Sequence, residues 1–250
     1  MAIAYVFGHV LGNGVPKLAS LSAEEWLPVA VVPAALVIAV LEAVFPISRA
    51  TMMQLWLLIP SSVPFVLLRL LVPHELSTAG LFLWSGIVGG LAAGHFYSCH
   101  VLHQRVPGPS FLFAVCLVTI ATGGCLGMAG SATIVPAVMA MATGLGICGL
   151  VWSMRRHTPQ DTNSGAVAVT LTMLFGLWTF AYVYLELDLG VTVLLVLALP
   201  VAWLAETAPI RKRRPWQIAI VRCGIVACLS AGALTVSTFK FVRAMNESPW

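Results

Sequence analysis

From Ser110 to Trp152 the chain contains no charged residue at all. No soluble fold has a place for such a run, because a water-facing surface needs polar cover. The rest of the sequence agrees. Charged residues are 9% of the chain, against roughly 25% in ordinary soluble domains. Hydrophobic residues are 60%. The chain therefore reads as an integral membrane protein, all-α, because in lipid a helix satisfies its own backbone. Its 250 residues are spent almost wholly on apolar segments, which leaves no room for a soluble catalytic or nucleic-acid-binding domain.

A crossing takes about 20 predominantly apolar residues. On that criterion eight spans are predicted, at Trp26–Phe45, Met52–Val72, Thr78–Leu102, Ser110–Ala129, Ala132–Trp152, Ala166–Leu185, Leu189–Ala205 and Trp216–Val242. The domain reading is an N-terminal extracytoplasmic or interfacial segment over 1–25, one membrane-embedded bundle over 26–245, and a short tail over 246–250. The uncharged run is either two spans or one span plus a re-entrant piece. Its length and the turn-forming Gly130-Ser131 near its middle favour two.

Basic residues set the orientation. Arg49, Arg105, the pair Arg155-Arg156 and the run Arg211 to Arg214 fall in alternate loops, which the positive-inside rule assigns to the cytoplasm. Both termini then lie on the non-cytoplasmic side, although Lys240 and Arg243 run against this. Trp26, Trp84, Trp152, Trp203 and Trp216 sit near span ends, where indole rings anchor. The net charge of +4 follows from the same loop bias and does not imply a nucleic-acid partner. The six cysteines all lie in apolar segments, without the spacing of a zinc site or a disulfide framework. With no leader-like N-terminus, a bacterial-type cytoplasmic membrane is the expected location.

The third span carries the densest set of candidate functional groups. Gly86, Gly90, Gly94 and Ser98 recur every four residues and make a small-residue stripe suited to close helix packing. Gly123 with Gly127, and Gly224 with Cys228 and Gly232, repeat the pattern in later spans. Beyond the stripe come His95, Cys99, His100 and His103. His95, Cys99 and His103 share a helix face, but two turns separate the first from the last by about 12 Å, too far for one metal ion. No second histidine is predicted at matching depth for haem. The reading is therefore a polar pocket, with no metal and no cofactor.

Intramembrane charges face a bundle interior and find partners. Glu42 or Glu206 is expected to pair with Arg222, near His95 and His100. In the second span Pro60 and Pro64 flank Ser61 and Ser62. Such a broken helix at mid-depth points to a transporter site.

Phe96 to His100 resembles one element of the eight-span CAAX-type intramembrane proteases, and Glu24-Glu25 resembles their paired glutamates. Val29 stands in place of the arginine of that pattern and the glutamates lie outside the first span, so the family is not assigned. Gly130-Ser131-Ala132 has only a superficial rhomboid-like look, since no later span supplies a histidine. The expectation is a small-solute or ion transporter, or a membrane subunit of one. The alternatives are a non-catalytic scaffold or assembly protein, and a metal-handling protein or enzyme centred on the third span. The lipid bilayer is the expected partner, with a membrane protein or a second copy as a further one.

Overall fold

The structure, a computed structural model, describes residues 77–105, 109–154, 164–207 and 214–247, with Pro33, Val37, Val40 and Ile210 as isolated positions. Among these the chain is helical and without strands. The elements are α1 (Thr78–Arg105), α2 (Ser110–Met128), α3 (Val135–Met154), α4 (Ser164–Tyr184), α5 (Leu189–Val201) and α6 (Pro215–Glu247). A 3-10 turn, Ala202–Glu206, continues α5. Five segments are long and apolar enough to cross a membrane: Thr78–His103, α2, α3, Leu189–Glu206 and α6. The six helices coincide with predicted spans three to eight. Apart from Pro33, Val37 and Val40, the first two spans, with Glu42, Ser61 and Ser62, lie outside the described residues.

Local chemistry sets the boundaries. Ser77 opens α1 by accepting the Gly80 amide on Oγ at 3.1 Å, a side-chain N-cap. His103 and Arg105 lie in its last turn, where the helix dipole favours cations. α6 begins with Pro215, whose missing amide costs nothing at a first helical position. Gln217 reaches back to accept the Arg214 amide at 3.2 Å, the acceptor half of a capping box.

The uncharged run resolves into two helices. Gly130 has φ +93°, a conformation that side chains disfavour. There the Ser131 amide returns to the Leu126 carbonyl at 3.1 Å, closing α2. α3 then folds back along α2. Glycine permits this approach: a Cβ on Gly123 would lie 2.9 Å from Met139 Cε and 3.3 Å from Val138 Cγ1. About 100° around α2, a Cβ on Gly124 would lie 2.6 Å from Leu234 Cδ2 of α6. α2 is thus the hub, flanked by α3 and α6, while α5 packs along α6. α1 and α4 pack on each other and meet α5.

The small-residue stripe of α1 behaves differently. A Cβ on Gly86, Gly90 or Gly94 would meet nothing within 4 Å among the described residues, and all three are exposed. The face that α1 turns to the described bundle holds Ala92, Phe96, Cys99 and Leu102. Against the described residues, the glycine contacts that close the fold are those of α2.

α5 departs from the single helix predicted there. Pro200 lies inside it, and a proline deprives the carbonyl four residues earlier, that of Val196, of its donor. Two residues later the helix tightens into the 3-10 turn.

Gly123→Leu is expected to force α2 and α3 apart and to destabilise the protein by about 1–3 kcal/mol, the usual cost of overpacking. Denaturant unfolding in bicelles measures this, and an unchanged midpoint would contradict the α2–α3 packing.

Candidate functional site

Most interior polar groups are satisfied within the bundle. Thr119, Thr122 and Thr179 each donate to the carbonyl four residues earlier, at 2.8–2.9 Å. Thr122 Oγ1 also accepts from Trp178 Nε1 at 3.0 Å, which ties α4 to α2. These hydroxyls serve packing. They give no sign of a polar path.

His95 belongs to this packed region. It is 6% exposed. Trp178 meets it edge-on with ring centroids 5.4 Å apart, and Phe175 lies at 6.0 Å. Its Nε2 is 3.6 Å from Cys99 Sγ. Its Nδ1 is buried without a hydrogen-bond partner among the described residues.

The expected ion pair forms with Glu206: Arg222 Nη2 donates to Glu206 Oε1. Arg222 does not reach along its helix to open water, since its side chain is 3% exposed and that of Glu206 is 15% exposed. Arg222 Nη1 donates to Ser110 Oγ, and the Cys223 thiol lies 3.8 Å from the Ser110 carbonyl. One guanidinium therefore joins α6, the 3-10 turn and the first residue of α2. Arg222 Nε is buried without an acceptor among the described residues.

The placement near His95 is corrected in part. The histidine at this level is His103, whose ring lies 5.3 Å from that of Phe111, next to Ser110. His95 is eight residues back, about 12 Å along the helix. His103 is 7% exposed, and neither ring nitrogen has a partner among the described residues. His100 is half-buried beside it. The same end is closed by Trp203, whose Nε1 donates to the Ser98 carbonyl at 3.1 Å. The Arg105 guanidinium lies 5.1 Å from the Trp203 ring. Ser98, read as a packing residue, thus supplies a carbonyl anchor. Among the described residues no three His, Cys, Asp or Glu side chains come together as a metal site.

The opposite end holds a second charge pair. Lys240 donates to Asp188 Oδ2. Asp188 Oδ1 caps α5 by accepting the Gly190 and Val191 amides at 2.9 and 3.3 Å. By sequence, Asp188 or Glu186 is a candidate partner for Arg69, which lies outside the described residues. Asp188 meets Lys240 instead. Eighteen residues separate Asp188 from Glu206, and eighteen separate Arg222 from Lys240. At 1.5 Å per residue that is about 27 Å, close to the hydrocarbon thickness of a bilayer. α5 and α6 are pinned together at both ends over one membrane width.

No family model, curated protein or solved structure matches the chain.

Removing one partner of a buried pair strands the other. Arg222→Gln and Glu206→Gln are each expected to cost about 3–5 kcal/mol, and the double variant less than their sum. A double-mutant cycle in bicelles checks this, and strict additivity would refute the coupling.

Lys240 and the two capping amides hold the Asp188 carboxyl below its usual range. Its contribution to stability is therefore complete above the unfolded-state value of about 3.9 and is lost as pH falls through the lowered folded-state value. Asp188→Asn retains the cap oxygen but not the charge. Wild type is expected to be the more stable at pH 7, and the melting difference to close as pH falls below about 4.

Proposed function

We propose that this chain is a multi-pass transporter of a small solute or ion, or a membrane subunit of one. Its location is a bacterial-type cytoplasmic membrane, with both termini on the non-cytoplasmic side. One observation carries the reading: a buried arginine, a carboxylate and a hydroxyl drawn from three elements meet at the end of an apolar bundle. Ionisable groups in such surroundings are costly and mark pathways for solutes or protons.

A non-catalytic assembly protein is the second reading. It is favoured by the dry aromatic packing around His95 and by the open glycine face of α1. Flux separates the two. Purified protein in proteoliposomes is expected to take up a member of a panel of organic acids, amino acids, sugars and inorganic ions under an imposed proton or sodium gradient. Arg222→Gln and Glu206→Gln are expected to abolish uptake while the protein remains monodisperse. A wild type that moves no member of the panel, or folded variants that transport normally, would defeat the transport reading.

A further inference from the structure

The cluster at Arg222 has a chemistry that its ion pair does not exhaust. Pro109 occupies the N-cap of α2, and no side chain caps the first turn. The leading amides of a helix have no intrahelical acceptor, and the dipole places partial positive charge there. Helix starts of this kind bind anions. Two further groups converge on the same turn. Arg222 holds Ser110 through Nη1 while its Nε remains buried and unpartnered among the described residues. His103 lies against Phe111 with both ring nitrogens unpartnered among the described residues. Among the described residues, the guanidinium and the leading amides are donors, the His103 imidazole can offer one N–H, and the Glu206 carboxylate is the acceptor already in place.

We propose that the first turn of α2, with Arg222 and His103, is a binding site for an oxyanion, the carboxylate or phosphate group of a small ligand. Glu206 is its resident counter-ion. A buried guanidinium needs an anion beside it, and the planar fork suits carboxylate and phosphate. Glu206 is the more exposed partner of the pair and ends a short 3-10 turn, so it is the group that gives way. The incoming oxyanion takes its place on Nη2 and gains Nε, and the Glu206 carboxylate turns outward to water. No covalent bond changes, and the local charge stays balanced by exchange of one anion for another. The ligand's role as transported cargo rests on the proposed transport function. The site itself does not.

The test uses the full chain in nanodiscs of phosphatidylcholine. Acetate and inorganic phosphate are titrated against chloride at constant ionic strength, and melting temperature and tryptophan fluorescence are recorded. A parallel arm uses chloride alone in nanodiscs containing phosphatidylglycerol. Stabilisation by acetate or phosphate assigns the site to a soluble ligand. Stabilisation by phosphatidylglycerol alone assigns it to a lipid headgroup. In either case Glu206→Gln is expected to tighten binding by about tenfold or more, and Ser110→Ala to weaken it by about tenfold. Arg222→Gln is expected to remove the response. Ser110→Ala retains both the guanidinium and its counter-ion and keeps the test sharp if Arg222→Gln or Glu206→Gln fails to fold. A protein that responds to neither source, or whose response ignores Glu206→Gln and Ser110→Ala, overturns the site. Binding with no flux removes the cargo role and leaves the site standing. Flux without oxyanion dependence removes the site and leaves transport.

Discussion

A guanidinium enclosed by apolar helices must keep its charge and must therefore keep an anion. Arg222 meets that demand with Glu206 and adds Ser110. This fixes three things together: the azimuth of α6, the end of the 3-10 turn after α5, and the depth at which α2 begins. Apolar packing alone specifies these weakly, because lipid tails compete with side chains for the same contacts. The ion pair therefore contributes register more than net stability.

Around that anchor the bundle closes by close approach of backbones. α2 presents Gly123 to α3 and Gly124 to α6, on adjacent faces about 100° apart. The helix that carries the uncapped turn is thus the one held most tightly by its neighbours. α1 and α4 are tied on through aromatic groups, with Trp178 on Thr122, Trp203 on Ser98 and His103 on Phe111. Each tryptophan buries a large apolar body and spends its single donor on an oxygen across an interface.

The helices were legible because apolar length and sparse charges define them. Spans three to eight match the described elements closely, and Gly130 marks the turn in the uncharged run. The partnership of Glu206 with Arg222 was legible too, since a charge at membrane depth narrows the choice of partners. What escaped the sequence depends on helix rotation. A stripe of glycine on α1 and a stripe on α2 look alike as text, yet only the second meets described neighbours within contact distance. The edge-on meeting of His95 with Trp178 needs two helices at one depth. Ser110 and His103 read as a helix start and a helix end, and only the folded chain brings the Phe111 ring within 5.3 Å of the imidazole.

The two charge pairs that bind α5 to α6 have a consequence for how this chain can change. Adding one residue to either helix between its pinned ends would rotate the remainder of that helix by about 100° and shift it by about 1.5 Å. One of the two salt bridges would then point away from its partner. The two helices are therefore held in one register over eighteen residues, and a one-residue insertion in either of them between the pairs breaks one of the two bridges. A membrane of different thickness must be met by tilting the two helices as one body.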